Sequence, residues 1–329
     1  MNNNIVMSSR IRLARNFKGS KFSSKIDQDE ALKIVEDVKS VIEKNEITKM
    51  LGFKATYLKD ISEIDQNILV EQHIISPQLL KNKDYAAFMI NKDKDIIIMI
   101  NEEDHLRIQV LNQGLSLEEG LRTANLIDDV LEESLDYAYD KTLGYITSCP
   151  TNMGTGLRAS TMLHLPALSI TNQLEKILLS ISEMGVAVRG VYGEGTKSMG
   201  NIYQISNQGT LGASEETLVD RIKQISLQLV KKENTVRRVL LKYSKIFLEN
   251  EVYRAYGILK NARMIDAYEA MKLLSVVKLG IETDMIESKS NIDYLINKIQ
   301  DNNISRLLQD DLERKSKEVK RAEILREEL

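Results

Sequence analysis

Apolar residues follow two patterns along the chain, and the change comes once. Up to about residue 210, short runs rich in β-branched residues recur: NILVEQHII (67–75), AAFMIN (86–91), DIIIMI (95–100), GYITSC (144–149), VAVRGVY (186–192) and NIYQIS (201–206). Each reads as a strand. AAFMIN and DIIIMI, joined through Lys92–Lys94, predict an antiparallel hairpin. Helical spacing appears between the runs: over 29–45, over 117–135 behind the capping box Ser116-Leu117-Glu118-Glu119, and over 172–184 before Gly185. Strand and helix do not alternate strictly. The pattern therefore predicts an α+β domain, a largely antiparallel sheet flanked by helices, rather than a doubly wound sheet.

From Ser214, a candidate N-cap, the texture is helical to the end. Leu218, Ile222, Ile225 and Leu229 follow at helical spacing, DAYEAMKLLSVVKLG repeats the pattern and stops at Gly280, and the stretch from Leu307 reads as a charged amphipathic helix. No linker or internal repeat marks a sharp boundary; the change falls near residue 235.

Composition alters this picture little. With 43% hydrophobic and 28% charged residues in 329, the chain reads as globular with ample core. A net charge of −3 gives no reason to expect direct nucleic-acid binding or an anionic membrane as partner. The single cysteine, Cys149, permits no intrachain disulfide. MNNNIVMSSR lacks the apolar stretch of a signal peptide and no run approaches membrane-spanning length, so a cytoplasmic protein is expected.

Candidate chemistry alters it more. NEEDHLR at 101–107 places three acids, a histidine and Arg107 at the end of an apolar strand. SSRIR at 8–12, if extended, puts Arg10 and Arg12 on one face. Arg158 in RASTM and Arg189 in RGVYGE sit at strand edges or in glycine-bearing turns, where binding residues concentrate. A single arginine is usually a solvated side chain, and Arg237 is read as one. Several held together need a polyanion, and a nucleotide polyphosphate suits the planar guanidinium fork. Gly154-Thr155-Gly156-Leu157-Arg158-Ala159 formally fits G-x-G-x-x-A, but no clear βαβ unit follows it. The sequence has no Walker-type loop, no kinase H-R-D loop and no cluster at zinc spacing.

Taken in order, SSRIR, NEEDHLR, CPTNMGTGLRAS and RGVYGE resemble the catalytic domain of the phosphagen kinases, which phosphorylate guanidino compounds from ATP. The resemblance spans 5–238 and implies a phosphagen-kinase-type catalytic domain there, with an all-helical C-terminal domain over 239–329 for substrate or phosphoarginine binding. The layout is similar to the bacterial protein-arginine kinases. Small-guanidine kinases carry a helical domain ahead of the SSRIR equivalent, which here begins at residue 8, and KNARMIDAYEAMKLLSVVKLG resembles the protein-arginine branch.

The resemblance implies an ATP site made by Ser8, Ser9, Arg10, Ile11 and Arg12, by Arg107, by Arg158, Ala159, Ser160, Thr161 and Met162, and by Arg189, Gly190, Val191, Tyr192, Gly193 and Glu194. Its arginines would surround the phosphates, His73 would lie near the adenosine, and Mg²⁺ would arrive with ATP, no protein side chain serving as metal ligand. Glu103 and Glu194 match the carboxylates that hold the substrate guanidinium and accept its proton, and Cys149 the cysteine whose thiolate sits against it. Glu102 and Asp104 are expected to orient neighbours; His105 and His164 are assigned no chemistry. The branch's phosphoarginine-sensing motif, Arg-Asp-x-x-Arg-Ala, is matched by Lys317-Glu318-Val319-Lys320-Arg321-Ala322, where Lys317 keeps charge but loses the fork. The alternative for this stretch is a solvated helix face.

The implied activity is phosphorylation of arginine side chains in proteins, marking them for Clp-type proteolysis and inactivating a heat-shock repressor. Implied partners are proteins with exposed arginines, an activator protein, a Clp-type ATPase, the repressor, and a second copy of the chain. A kinase of a free guanidino metabolite is the first alternative; the short lead before residue 8 argues against a site that encloses so small a substrate. A catalytically weak adaptor for arginine or phosphoarginine is the second; the complete set of carboxylates and arginines argues against it.

Overall fold

The computed structural model describes residues 5–191, 198–309 and 313–329. Its strands are β1 (Val6–Arg15), β2 (Lys54–Tyr57), β3 (Ala87–Ile90), β4 (Ile96–Ile100), β5 (Leu106–Gln113), β6 (Tyr139–Asp140), β7 (Gly144–Tyr145), β8 (Leu157–His164), β9 (Val186–Gly190) and β10 (Ile202–Asn207). β6 and β7 form a small separate hairpin. The other eight make one sheet in the order β2-β3-β4-β5-β1-β8-β10-β9, each neighbouring pair antiparallel. The first strand of the chain thus lies in the middle of the sheet.

Helices α1 (Gln28–Lys44), α2 (Glu46–Leu51), α3 (Glu63–Glu71), α4 (Leu117–Glu132), α5 (Pro166–Ile170), α6 (Leu174–Glu183) and α7 (Glu215–Tyr243) flank the sheet. Ile11, Leu13, Ile108, Val110, Leu157 and Ala159 point to one face and form a core with apolar residues of α1, α4 and α7. On the other face, apolar cover is confined to one half. Phe88, Ile97 and Met99 of β3 and β4 pack under Leu58, Ile75 and Leu79, leaving the β1-β8-β10 half to polar side chains.

The helical end comprises α8 (Lys245–Asn261), α9 (Ala267–Glu282), α10 (Ile292–Lys298), α11 (Asp301–Leu307) and α12 (Arg314–Glu328). α7 runs unbroken to Tyr243, and Ser244 separates it from α8. The region docks on the sheet layer through polar ties. Glu71, the last residue of α3, accepts from Asn302 N at 3.1 Å, Asn302 Nδ2 at 2.7 Å and Asn303 Nδ2 at 3.3 Å. His164 Nε2 meets Ser275 Oγ of α9 at 2.8 Å. Among the described residues no helix is long and apolar enough to cross a membrane.

The hairpin, the antiparallel sheet and the Ser214 cap, whose side chain accepts from Thr217 N, match the sequence pattern. Five readings need correction. NILVEQHII is not a strand: Ser62 caps a helix by accepting from Asp65 N, and a contiguous apolar triplet such as Ile68-Leu69-Val70 suits either period. In GYITSC only Gly144 and Tyr145 pair, because Pro150 opens a 3₁₀ turn just beyond. The helix predicted over 172–184 stands as α6, with the short α5 before it and Asn172 (φ 55°) between the two. Ser116 makes no side-chain cap bond; its N–H is instead held by Ser9 Oγ.

The fourth is Arg237, which is core rather than surface, at 3% exposure. It donates to Glu233 Oε1 at 2.8 Å and Glu282 Oε2 at 2.7 Å, tying α7 to α9. Helical period places it on the buried face with Glu233 and Leu240, and Arg238 takes the solvent. The fifth is the stop at Gly280: α9 continues through it to Glu282, and a Cβ there would collide with Val252 Cγ1, so the glycine serves close packing of α8 and α9 rather than termination.

Candidate active site

Period two sends Ser8, Arg10 and Arg12 of β1 to the open face, and Ser9, Ile11 and Leu13 to the core. Register assembles the rest. Arg12 lies between Gln109 of β5 and Arg158 of β8, Arg10 between Leu111 and Ser160, and Ser8 between Gln113 and Met162. Arg107 is one step beyond Gln109 on the same face, opposite Ala14, and Arg189 pairs with Gln204.

The same alternation removes several residues from contact. Ser9, Ile11, Ala159 and Thr161 face the helices: Thr161 Oγ1 meets Ser226 Oγ at 2.8 Å, and Ile11 and Ala159 are core. Val191 is also core, and Gly190 pairs with Tyr203. Tyr192, Gly193 and Glu194 lie outside the described residues.

The arginines are partnered mostly by neutral groups. Arg10 donates to Gln204 Oε1 at 2.9 Å, and Arg158 Nε and NH2 donate to Ser206 Oγ at 3.3 and 3.1 Å. Arg12 Nε is buried without a hydrogen-bond partner. Burial, and then Arg107, Arg158 and Arg189, lower the Arg10 pKa to about 10. Burial followed by Arg10, Arg107 and Arg158 pushes Arg12 well below its ordinary value, against Glu102. Arg158 is lowered by burial, Arg189 and Arg107, with Cys149 opposing. Guanidinium groups crowded enough to depress Arg10, Arg12 and Arg158, one of them with an orphaned N–H, form a site complementary to a polyanion.

The acidic turn between β4 and β5 divides its work among three residues. Glu102 accepts from Arg107 NH1 at 2.5 Å and Ser76 Oγ at 2.6 Å. Asp104 Oδ1 accepts from Asn16 Nδ2 at 2.7 Å and Ser148 N at 2.6 Å, fixing the segment that carries Cys149. Glu103 is left partly open, 4.0 Å from Arg107, with its pKa raised by burial and then by Asp104 and Glu102. Both flanking acids orient neighbours. Cys149 is half-buried, Sγ 3.0 Å from Thr151 Oγ1.

His105 is a core group: Nδ1 accepts from Phe17 N at 3.0 Å, Nε2 faces Lys21 O at 2.8 Å, and its ring stacks on Phe17. His164 is also buried. The Gly156 turn is structural as well. At φ +68° its Cβ would meet Ala14 O at 2.6 Å, so glycine is required by the closeness of β1 and not by a dinucleotide.

At the Ser8 end the open face deepens into a cleft of about 600 Å³. Arg10, His73, Met162, Gln204 and α10 line it. His73 sits in a turn (φ 58°) whose backbone oxygen accepts from Gln109 Nε2 at 3.0 Å. Burial, then Arg10 and Arg12, lower its pKa to about 4. Gln109, Gln204 and Ser206 are site residues that motif reading missed; their placement on the arginine face by period two is the signal that finds them. No group of three or more His, Cys, Asp or Glu among the described residues suits a metal ion.

The KEVKRA stretch lies apart, in α12. Arg321, 1% exposed, is bound by Asp301, by Ile299 O at 2.9 Å and by Ile265 O at 3.1 Å, and Ala322 is buried. Lys317 and Glu318 are partly exposed, and Glu318 accepts from Arg314. The solvated-face alternative fails at Arg321 and Ala322.

Residues 33–236 match the family described as ATP:guanido phosphotransferase, C-terminal catalytic domain, and residues 245–329 that described as protein-arginine kinase McsB C-terminal domain. The protein-arginine kinase of Clostridium kluyveri is 44% identical over 330 residues, covering 100% of this chain and 95% of that protein. That of Bacillus subtilis is 44% identical over 287 residues, covering 87% and 79%. Among solved structures, the duplicated taurocyamine kinase from Schistosoma mansoni with bound transition state analog components aligns at a TM-score of 0.63 and 25% identity, over 79% of this chain and 39% of that one. Lombricine kinase aligns at 0.60 and 25%, over 72% and 68%.

Proposed function

The chain belongs to the ATP:guanido phosphotransferases, in their protein-arginine kinase branch, and from that premise we propose that it phosphorylates arginine side chains of proteins at the expense of ATP. The observation that carries this reading is the arginine face: Arg10, Arg12, Arg107, Arg158 and Arg189 converge with a buried Arg12 N–H left unpartnered. A nucleotide polyphosphate supplies the missing negative charge.

Phosphoryl transfer is mostly positioning and charge stabilisation, and guanidinium forks perform both. In the reaction the bond between the γ-phosphorus and its bridging oxygen breaks, an N–P bond forms, and ADP leaves. The attacking guanidinium must give up a proton. Glu103 stands at the end of the arginine row, half-open and with a raised pKa, so it can hold the substrate nitrogen and accept that proton. By family resemblance Glu194 shares the task, and Cys149 rests against the guanidinium. Mg²⁺ brought with the nucleotide would neutralise part of its phosphate charge, leaving the arginines to bind and orient the phosphates.

The cellular reading rests on the same branch: cytoplasmic quality control, with arginine-phosphorylated proteins passed to a Clp-type protease and a heat-shock repressor inactivated. It extends to an activator protein and a homodimer. At Lys317-Glu318-Val319-Lys320-Arg321-Ala322 the engaged Arg321 favours a structural tie over phosphoarginine sensing.

Incubation with ATP and either free arginine or an unfolded protein, followed by assay of acid-labile phosphate, tests the reading. kcat/KM for a disordered arginine-containing protein should exceed that for free L-arginine at least about a hundredfold, roughly 3 kcal/mol of added transition-state binding. Efficient turnover of free arginine would return the chain to the metabolite kinases.

A further inference from the structure

We propose, resting on the nucleotide reading above, that α10 of the helical end is the outer wall of the nucleoside half of the ATP site, and that Glu71 is the latch that positions it. The cleft at the Ser8 end runs directly from Arg10 and closes against Asn291, Asp293, Ile296 and Asn297. Its volume of about 600 Å³ suits a small molecule.

Arg10 continues the guanidinium row into the cleft. The rest of the lining carries the carboxylates of Asp93, Asp95 and Asp293, which outnumber its one lysine, Lys94, together with the amides of Gln72 and Asn297. Carboxylates repel phosphate but accept hydrogen bonds from ribose hydroxyls, and amides match the donor and acceptor edge of a base. A nucleotide therefore enters in one orientation, phosphates toward Arg12 and nucleoside toward α10.

The wall is fixed from both sides. Lys278 of α9 pairs with Asp293. Beyond α10, Arg321 pairs with Asp301, and the next two residues, Asn302 and Asn303, donate to Glu71. Glu71 stands two residues before His73, itself on the cleft. The same tie thus sets the distance between α10 and the catalytic sheet.

The chain has no tryptophan, so Asn297→Trp both narrows the cleft and installs a unique fluorophore. In the full-length protein this substitution should raise KM for ATP at least about tenfold, with kcat at saturating ATP retained and affinity for inorganic tripolyphosphate unchanged. Its emission should shift on addition of ATP and not of tripolyphosphate. Glu71→Ala, which leaves the cleft lining intact, should raise the Kd for ATP about three- to tenfold with tripolyphosphate again unaffected, and Glu71→Gln should recover part of the loss. Unchanged ATP affinity in Glu71→Ala and in folded Asn297→Trp overturns the proposal, as does equal weakening of ATP and tripolyphosphate. If Asn297→Trp fails to fold, Glu71→Ala decides. A wild-type chain that binds neither ligand overturns the nucleotide reading itself. Wild-type binding lost in Arg158→Lys but kept in both wall variants overturns the wall alone.

Discussion

β1 carries arginines of two kinds within six residues. Arg15 faces the core side, donates from Nε and NH2 to Asp128 Oδ2 at 3.0 and 2.6 Å, and lies 3.6 Å from the Tyr145 ring. Arg10 and Arg12 face the open side among other arginines, with pKa values pushed down. Arg237 and Arg321 belong with Arg15: buried, and surrounded by carboxylates and carbonyls. A buried guanidinium with its countercharge in place holds a fold together. One without it holds a place for a ligand.

The sharpest test lies where the two kinds meet, at the acidic turn. Glu103→Gln keeps the shape but removes charge and proton acceptor, and should lower kcat by about two to four orders of magnitude in a phosphoryl-transfer assay. Glu103 is held only by a long, part-exposed ion pair with Arg107 at 4.0 Å, so thermal stability should hold. Near-full turnover would place Glu103 with Glu102 and Asp104 as scaffold.

Removing a partnered arginine should have the opposite signature. Arg237→Ala leaves Glu233 and Glu282 buried without their cation and should destabilise the fold by about 3–5 kcal/mol in denaturant titration. Arg12→Met should cost no stability, because it relieves repulsion; a large loss there would break the distinction.

A smaller effect separates charge from geometry. Arg158→Lys keeps the cation and loses the fork, and should lower kcat/KM by about ten- to a hundredfold. Arg254, which is exposed, should tolerate the same change, and equal activity in both variants would make Arg158 an ordinary surface charge.

The smallest effect is at His73, whose pKa falls from 6.5 to about 4. Between those values the unfolded chain binds the proton and the folded one does not, so His73 makes the fold less stable as pH drops through that window. His73→Gln should flatten that part of the pH–stability curve. Tripolyphosphate, by countering Arg10 and Arg12, should raise the His73 pKa as read by NMR; no movement would separate this histidine from the arginine face.

Much of the site was legible because period two is a local property. SSRIR alone places Arg10 and Arg12 together, and the apolar runs at 86–91 and 95–100 give the hairpin. Which face meets the helices is not local, so Ser9, Ile11, Ala159 and Thr161 were carried into the site with their neighbours and belong to the core. The three acids after β4 are equivalent in sequence; only distant partners, Ser76 for Glu102 and Asn16 with Ser148 for Asp104, make Glu103 the one left open. Arg237 was misread for a related reason, since its two carboxylates lie 4 and 45 positions away.

The central position of β1 also sets an order of events at the ribosome. Its flanking strands lie about 100 and 150 residues downstream, and sheet pairing over such separations is slow because long loops must close first. During synthesis the strand bearing Arg10 and Arg12 emerges before its partners, and its second edge stays open until Leu157–His164 has followed. The arginine face is complete only once β8 and β9 have brought Arg158 and Arg189 to it.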